Sequence, residues 1–376
     1  MTRIFHTADL HIGLKFTRSG YSPDQREKLV EARLNTLVRM VEKANDEHCD
    51  LFVVAGDMFD HLRVSQAVIR KSGETLRGFT GVAVVLPGNH DFLQRADDPL
   101  WPQMKNALGE SHLILEEQRP YDLSDHGIPV VLYPGPCLSK HSAENAVSWI
   151  HAVSQQSRNE AKFHVGVAHG SLDGVSPDFD SRYFPMTHRE LEETGLDLWL
   201  LGHTHIRYPD QPEGSSARIF YPSTPEPDGF DCRHEGFAWI IELSQDHPPK
   251  YRSVATGQYR FHDLDRQLTC ESDVLSLHQE LRGLAAMNQL LRLRLHGRLS
   301  DQLLSELKEG LPSYEPAFGY LETGTNDVIK EITQSDIDQD FTQGSFPHRL
   351  LSELATNGSG SLALQLAYEL VEKVRQ

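Results

Sequence analysis

Short apolar runs recur through the first two-thirds of the chain and predict the strands of a buried sheet. Because neighbouring residues within each run are apolar, each run predicts a strand that is covered on both faces. The runs lie at residues 3–8, 51–55, 82–86, 129–133, 163–168 and 198–201. The segments between them predict helices at residues 25–47, 65–78, 99–108, 142–156 and 187–195. This alternation predicts an α/β domain in which helices flank the sheet.

The segment 25–47 carries a stripe of side chains at three- and four-residue spacing, which is typical of one face of a helix. The stripe consists of Leu29, Ala32, Arg33, Leu37, Met40, Val41 and Ala44. These positions give the predicted helix one apolar stripe.

The pattern changes after about residue 205. Residues 208–235 are rich in Pro, Gly, Asp and Ser, and the apolar segments 217–221 and 237–243 predict two more strands. From about residue 258 a smaller module begins, with predicted helices at 273–287, 300–308 and 361–375. Leu and Arg alternate at 291–295, as in a half-buried strand. We therefore expect two domains, residues 1–257 and 258–376.

Composition and charge exclude several classes of protein. The 376 residues include 36 Lys and Arg against 54 Asp and Glu, a formal net charge of −18 that counts against broad non-specific adhesion to DNA or anionic lipid. The four cysteines lie far apart, so neither a disulfide scaffold nor a zinc finger is expected. We see no membrane span, secretory signal or P-loop, and expect a cytoplasmic protein that does not hydrolyse ATP through a P-loop.

Polar side chains able to hold a metal follow five of the predicted strands. They are Asp9 and His11, Asp57 and Asp60, Asn89 with His90 and Asp91, His169, and finally His203 and His205. In open α/β sheets, sites form at the carboxyl ends of the strands. In an extended segment residues i and i+2 point the same way, so each paired set can face one point. The sequence therefore predicts one site built from all five segments.

Seven of these residues form a donor set too large for one tetrahedral zinc ion. The set comprises two carboxylates, one amide and four imidazoles: Asp9, Asp57, Asn89, His11, His169, His203 and His205. It suits two divalent ions that share a carboxylate, for which Asp57 is the natural candidate. Oxygen and nitrogen donors without thiolate favour Mn, Fe or Zn over Ca or a structural zinc.

The ordered motifs DxH, GDxFD, GNHD, AHG and GHTH resemble those of the calcineurin-like metallophosphoesterase superfamily. Ala-Asp-Leu-His-Ile-Gly, Gly-Asp-Met-Phe-Asp and Leu-Gly-His-Thr-His are most similar to its DNA-repair nuclease branch of the SbcD and YhaO type. The resemblance implies a β-sandwich flanked by helices, followed by a smaller C-terminal α/β capping domain. It also implies one metal on Asp9, His11, Asp57 and His205, and the other on Asp57, Asn89, His169 and His203.

By the same resemblance His90 is a histidine that does not bind metal and lies beside the scissile phosphate. Two metal ions would activate a hydroxide for in-line attack, while His90 stabilises the phosphoryl oxygens or protonates the leaving alkoxide. Asp91, the residue after His90, is expected to orient the His90 ring, and Asp60 is expected to contact the metal ligands without binding metal itself.

The resulting expectation is a metal-dependent exonuclease or endonuclease that acts on DNA ends or single strands in repair or end processing. Two alternatives stay open: a dimetal phosphodiesterase acting on small nucleotides, and an inert scaffold, which the complete ligand set disfavours. Mn²⁺ is the expected ion, with Fe or Zn as alternatives. Arginines that could contact phosphates are Arg63, Arg95, Arg182, Arg292, Arg294 and Arg298, although a solvated face is the favoured interpretation of the 291–295 strand.

The resemblance also implies a separate partner, an SMC-like ATPase of the SbcC type, because this chain has no ATPase motif. The C-terminal helix carries an apolar stripe of Leu362, Leu366, Ala367, Leu370, Val371 and Val374. That stripe could dock on a coiled coil, although packing on its own module is the favoured interpretation. The sequence leaves open whether two copies form a homodimer, and we expect no membrane partner.

Overall fold

The chain is divided between two units, Met1–Arg260 and Phe261–Gln376. The computed structural model describes residues 1–17, 20–93, 99–154, 159, 162–176, 182–210, 217–356 and 362–375. All the candidate ligands belong to the first unit, and each unit has a hydrophobic core of its own.

The first unit alternates strands and helices along most of its length. Its strands are β1 (Thr2–Thr7), β2 (Leu51–Ala55), β3 (Val82–Leu86), β4 (Leu113–Ile114), β5 (Tyr121–Asp122), β6 (Val130–Gly135), β7 (Phe163–His169), β8 (Leu198–Gly202), β9 (Arg207–Tyr208), β10 (Ile219–Pro222), β11 (Phe237–Leu243) and β12 (Lys250–Ala255). Its helices are α1 (Pro23–Asp46), α2 (Gln66–Arg77), α3 (Leu100–Leu108), α4 (Ser148–Ser154) and α5 (His188–Glu193), with a 3-10 turn at Ser124–His126.

The strands form two six-stranded sheets that pack against each other. Their orders are β12-β11-β1-β2-β3-β4 and β5-β6-β7-β8-β10-β9. One hydrophobic cluster joins the facing sides, with Val53 and Val84 from the first sheet and Val165 and Leu198 from the second. Burial on both faces explains the continuous apolar runs of the central strands. The predicted α/β sandwich is confirmed.

Helices cover the outer faces of the sandwich. The helices α1, α2 and α3 pack on the first sheet, whereas α4 and α5 pack on the second. Helix α1 begins at a capping box in which the Ser22 hydroxyl accepts from the backbone of Gln25, and Pro23 occupies the first helical position. Its stripe is buried, and Arg33 is buried with it.

The carboxyl ends of the parallel strands position the candidate residues. Strands β1, β2 and β3 run parallel in the first sheet, as do β6, β7 and β8 in the second. Chain segments that follow parallel neighbours leave the sheet at the same edge. The polar segments after β1, β2, β3, β7 and β8 therefore meet along one edge of the sandwich.

The second unit combines a three-stranded sheet with helices. Its strands are β13 (Arg260–Leu268), which begins at the last residue of the first unit, β14 (Gln289–Leu299) and β15 (Tyr320–Lys330), and they pair in that order. Its helices are α6 (Glu271–Leu284), α7 (Asp301–Gly310), α8 (Gln334–Asp340), α9 (Phe346–Thr356) and α10 (Leu362–Arg375), with a 3-10 segment at Leu311–Ala317. Across the described parts of both units, no helix combines the length and apolarity needed to cross a membrane.

Strand β14 confirms the predicted alternation of buried leucine and solvent-facing arginine. Leu291, Leu293 and Leu295 are buried in the core of the second unit. Arg292 and Arg294 both pair with the Asp263 carboxylate, at 2.6 and 3.1 Å. Arg298 pairs with Glu369 on α10, at 2.5 Å. Arg95 lies outside the described residues. The arginines of β14 are therefore engaged by carboxylates of their own unit.

Helix α10 presents apolar residues on two faces. Leu364 is fully buried, and Ala367 and Val371 pack beside it on the cluster around Ile337. The rest of the predicted stripe is exposed in this chain and consists of Leu362, Leu366, Leu370 and Val374. Packing on its own module accounts for only part of the stripe.

Three differences from the sequence prediction concern marginal elements. The helix predicted at 142–156 begins only at Ser148, and residues 155 and 156 lie outside the described part of the chain. Strands β12, β13 and β15 were not predicted, because polar and charged residues interrupt their apolar positions. Helices α8 and α9 were also not predicted.

The buried His6 side chain of β1 predicts a loss of stability in acid. Burial lowers the pKa of this imidazole from 6.5 to about 3. Between these values the unfolded chain binds a proton that the folded chain does not, so the unfolding free energy falls by about 1.4 kcal/mol per pH unit as pH decreases. The contribution of the uncharged His6 side chain to the unfolding free energy is fully present above pH 6.5 and is lost as the pH falls towards 3. We expect His6→Leu to reduce this slope in urea titrations between about pH 6 and 4, and equal slopes would contradict the assignment.

Candidate metal centre

All seven predicted ligands lie at the edge where the parallel strands end. Asp9 and His11 follow β1, Asp57 follows β2, Asn89 follows β3, His169 ends β7, and His203 and His205 follow β8. Three groups among them and His90 place their donor atoms within 4.8 Å of one another: Asp9, His11 and His205; His11, Asp57 and His90; and Asp9, Asp57 and His169. Residues far apart in the sequence are therefore brought together in one cluster.

Five of the seven predicted ligands adopt positive φ angles. The values are 55° for Asp9, 44° for His11, 51° for Asp57, 118° for His203 and 51° for His205. Residues other than glycine enter this region at a cost of about 1–2 kcal/mol each. Backbone hydrogen bonds hold the turns: the amide of Asp9 donates to the carbonyl of Gly56 at 3.1 Å, and that of His11 to the carbonyl of Asp57 at 3.0 Å.

Two glycines allow the ligand loops to approach one another. A Cβ atom on Gly56, whose φ is +91°, would lie 2.1 Å from His169 Nδ1. A Cβ atom on Gly88 would lie 2.2 Å from both the backbone nitrogen and Oδ1 of Asp57. Side chains at these positions would push the loops apart, so the glycines of the GDxFD and GNHD motifs allow the ligand loops to pack closely.

The Asp57 carboxylate lies between the two halves of the cluster. Its Oδ2 is 3.3 Å from His169 Nε2 and 3.7 Å from His11 Nε2. Its Oδ1 accepts a hydrogen bond from the backbone nitrogen of His90 at 2.8 Å. One oxygen is thus fixed by the backbone while the other faces imidazoles on both sides, as a bridging carboxylate requires.

The other donors group on either side of Asp57. On one side, His11 Nε2 is 3.0 Å from His205 Nε2, which is 3.7 Å from Asp9 Oδ1. On the other side, Asn89 Oδ1 lies 3.0 Å from both His169 Nε2 and His203 Nδ1. The donor atoms thus form two groups, one on each side of the Asp57 carboxylate.

The groups around His169 show that the donor set suits a divalent cation. Its Nδ1 lies 2.9 Å from the carbonyl oxygen of Ala55, which can only accept, so Nδ1 carries a proton. The lone pair of the neutral ring is therefore on Nε2, where it faces Asp57 Oδ2 and Asn89 Oδ1. Three acceptors that face one another need a cation or a proton between them.

The electrostatics of the cluster lead to the same conclusion. Burial alone lowers the pKa of His169, but the Asp57 carboxylate outweighs burial and raises the pKa to about 9. Burial likewise raises the pKa of Asp57, yet His169 and His11 hold it well below its usual value. The Asp57 carboxylate thus favours positive charge beside it, on the His169 side.

One side of the cluster is open to solvent. Asp9, His11, Asp57, Asn89 and His169 are buried, whereas His90, His203 and His205 are half-buried. The Tyr183 ring lies against His203, with centroids 4.8 Å apart. A substrate would therefore reach the donors past the three half-buried histidines.

Comparison with known proteins assigns the family. Residues 2–207 match the family model of calcineurin-like phosphoesterases, and this match covers more than half of the chain. The chain belongs to the calcineurin-like phosphoesterase family. All seven predicted ligands of this phosphoesterase lie within the matched residues, in the order that the motifs predicted.

Three relatives of this phosphoesterase support the predicted SbcD and YhaO branch. The metallophosphoesterase YhaO of Bacillus subtilis, described as uncharacterized, is 31% identical over 208 residues, which are 54% of this chain and 48% of YhaO. The DNA double-strand break repair protein Mre11 of Methanopyrus kandleri is 31% identical over 60% of this chain and 49% of Mre11. The SbcD component of the nuclease SbcCD from Rhodobacter capsulatus is 34% identical over 34% of this chain and 31% of SbcD. The chain therefore spans about half the length of the first two relatives.

His90 lies at the open side of this phosphoesterase centre. Its Nδ1 is 2.9 Å from the carbonyl oxygen of Asp60, and its ring meets the His11 ring edge-on, with centroids 4.7 Å apart. The Asp60 carboxylate lies 3.6 Å from His11 Nδ1, on the side of that ring away from Asp57. Asp60 thus contacts one predicted ligand through its side chain and His90 through its backbone.

Asp91 has contacts other than those expected from its position beside His90. Its Oδ2 accepts from the backbone nitrogen of Phe59 at 2.9 Å, and its Oδ1 accepts from that of Gly88 at 2.7 Å. Burial, together with the nearby Asp57 carboxylate, raises its pKa to about 7. The buried carboxyl ties the GDxFD and GNHD loops together, and the His90 ring is instead oriented by the Asp60 carbonyl.

Three residues that sequence reasoning did not assign to the site also contact the ligand loops. They are Arg33 on α1, and Thr224 and Asp228 in the segment after β10. The only signal for Arg33 was its place in an apolar stripe, where an arginine needs buried partners. Thr224 and Asp228 lie in a Pro-rich stretch whose spacing gives no periodic signal.

Proposed function

We propose that this chain hydrolyses phosphodiester bonds in DNA, with two divalent cations bound at the strand ends and Mn²⁺ as the working ion. One cation is assigned to Asp9, His11, Asp57 and His205, and the other to Asp57, Asn89, His169 and His203. The observation that carries the proposal is the position of Asp57 Oδ2 between His169 and His11, at 3.3 and 3.7 Å. A shared carboxylate with nitrogen and oxygen donors on both sides suits a pair of ions.

Residues around the two proposed ions have separate roles in the proposed reaction. When bound, the two ions supply an activated water and stabilise charge on the phosphoryl oxygens. His90 is assigned to the leaving group: its Nδ1 proton is held by the Asp60 carbonyl, so Nε2 is the atom that exchanges a proton with substrate. Asp60 also orients His11, whereas Asp91 holds the two loops in place.

DNA is favoured as the substrate by the relatives. Two of them are described as a DNA double-strand break repair protein and as part of a nuclease. The half-buried histidines make the open side of the centre accessible from solvent. The alternative is a dimetal phosphodiesterase that acts on small nucleotides, since the ligand set by itself does not select the substrate.

The second unit is proposed as a capping and partner-binding domain for an SMC-like ATPase of the SbcC type. One relative is named as a component of the nuclease SbcCD, and the exposed Leu362, Leu366, Leu370 and Val374 recur at four-residue spacing along α10. A ridge with this spacing suits contact with another helix. The nuclease assay is therefore to be run with and without such an ATPase.

The substrate is tested with metal-free protein supplied separately with Mn²⁺, Fe²⁺ or Zn²⁺. Linear duplex DNA labelled at either end, single-stranded DNA and closed circular DNA are compared with bis-p-nitrophenyl phosphate and cyclic nucleotides. We expect Mn²⁺-dependent release from labelled DNA ends, and the His126→Ala variant, changed at an exposed histidine, should match wild type. Hydrolysis of the small esters alone would establish the alternative, and cutting of closed circles would show endonuclease action.

A further inference from the structure

The segment of residues 223–228, which follows β10, contacts two ligand-bearing loops. Its residues reach the loop of Asp9 and His11 and also the ring of His205. Under the proposed function, on which this inference rests, these loops bind the same cation. The segment thus touches ligands assigned to one metal position.

Thr224 and Arg33 hold the carbonyl groups of the first ligand loop. The Thr224 hydroxyl lies 2.9 Å from the carbonyl oxygen of Asp9, and Arg33 Nε donates to that of Leu10 at 2.6 Å. The single proton of this hydroxyl has a second acceptor in reach, the carbonyl of Glu226 at 3.0 Å, and the Asp9 carbonyl is the nearer of the two. Arg33 also contacts this group, because its Nη1 donates to the Glu226 carbonyl at 3.2 Å and its Nη2 donates to the hydroxyl oxygen at 3.4 Å.

These contacts act on strained backbone. Asp9 and His11 have φ angles of 55° and 44°, and their amides donate to the carbonyls of Gly56 and Asp57. Thr224 and Arg33 fix the carbonyls of the same turn on its opposite side. Hydrogen bonds on both sides over-determine a conformation that the residues do not favour.

Glu226 anchors the segment itself. Its buried carboxylate accepts from the Thr36 hydroxyl at 2.6 Å and from the backbone nitrogens of Gln258 and Tyr259 at 2.7 and 2.8 Å. Three hydrogen bonds to one buried carboxylate leave little freedom for the residues on either side. Thr224 and Asp228 are therefore presented from a fixed support.

Asp228 faces the outer nitrogen of His205. Its Oδ2 is 3.5 Å from His205 Nδ1, while Nε2 of the same ring faces Asp9 and His11. A carboxylate behind a metal-binding imidazole fixes the tautomer and the ring orientation. The outer nitrogen of His169, by contrast, contacts the backbone carbonyl of Ala55 rather than a carboxylate.

We propose that Thr224 and Asp228, anchored by Glu226 and Arg33, are positioning residues for only one of the two metal positions, that of Asp9, His11, Asp57 and His205. The other position is supported by β2 and the GNHD loop. Loss of either side-chain group should weaken one bound ion and leave its neighbour in place. The relevant class of ligand is a divalent cation such as Mn²⁺.

The test is calorimetric titration of the metal-free protein with Mn²⁺, with bound Mn²⁺ followed by electron paramagnetic resonance. In Thr224→Val, which keeps the shape but loses the hydroxyl, and in Asp228→Asn, one of two binding equivalents should weaken about 10- to 100-fold. The affinity of the other binding equivalent for Mn²⁺ should change by less than about threefold. Thr224→Ser, which retains a hydroxyl, should restore near-wild-type binding, and Asp231→Asn at an exposed position of the neighbouring loop should change neither equivalent.

The outcomes separate this proposal from the proposed function. Two unaltered equivalents in both variants, or equal weakening of both ions, would overturn the positioning role while leaving the dimetal centre intact. Wild-type protein that binds no Mn²⁺ would overturn both proposals. Thermal melting of the metal-free variants checks folding. If Thr224→Val does not fold, Asp228→Asn alone decides the result, because the half-buried Asp228 side chain lines the cavity that also contains His203 and His205.

Discussion

Replacing Asp57 with asparagine is expected to abolish metal binding at both positions and reduce hydrolysis by more than about 1,000-fold. Asparagine can still accept the hydrogen bond from the His90 backbone through its side-chain oxygen, but places an NH₂ group where Oδ2 faces His169 and His11. The change removes the shared negative charge and turns an acceptor into a donor. Loss of several kcal/mol of metal-derived stabilisation corresponds to this reduction in rate.

The measurement pairs metal content with turnover. Metal content is determined by elemental analysis after Mn²⁺ loading and gel filtration, and turnover with the substrate that wild type cleaves. Asp246→Asn, at an exposed aspartate of the same unit, is the matched control and should retain both ions and full activity. An Asp57→Asn protein that keeps two ions would show that Asp57 is not the shared ligand.

The sequence predicted the members of the cluster because of a general property of parallel sheets. Polar residues placed after several buried strands must meet at one edge, so Asp9, Asp57, Asn89 and His169 could be grouped without a structure. The predicted extended geometry of the paired ligands was wrong. Asp9, His11, His203 and His205 all adopt positive φ angles, and the backbone amides of Asp9, His11 and His203 donate to groups far away in the sequence.

Adjacency in the sequence was a poor guide to contact around the centre. Asp91 follows His90 directly, yet its carboxylate accepts from Phe59 and Gly88, because the chain turns sharply within the GNHD loop. Conversely, Thr224 reaches the Asp9 carbonyl across 215 positions of the chain. Such supports depend on how separate segments pack, which no local pattern records.

The fold shows the same division between local and long-range information. Strands β2, β3 and β11 begin and end as predicted. Burial on both faces gives β2 and β3 unbroken apolar runs, and these runs end at polar residues, glycine or proline. Strand β15 was not predicted because its residues Tyr320–Lys330 are largely polar and it is buried at only a few positions. Its pairing with β14 is therefore a tertiary choice that its own sequence does not specify.

Replacing His90 with glutamine is expected to lower turnover by about 100- to 10,000-fold while both metal ions stay bound. His90 is the one half-buried histidine of the cluster outside the seven proposed ligands, and its Nδ1 is held by the Asp60 carbonyl. Glutamine can donate a hydrogen bond but cannot transfer a proton near neutral pH. The loss should therefore appear in kcat rather than in metal affinity.

A change of leaving group distinguishes proton transfer from simple positioning by His90. With bis-p-nitrophenyl phosphate the leaving p-nitrophenolate needs little protonation, whereas the leaving group of a DNA strand is an alkoxide. The fold reduction in turnover caused by His90→Gln should therefore be at least about tenfold smaller with this ester than with DNA. An equal defect on both substrates would assign His90 to phosphate stabilisation instead. Full activity with two bound ions would remove His90 from the mechanism, because the chain would then cleave without the only proton donor that the proposal places at the open side of the centre.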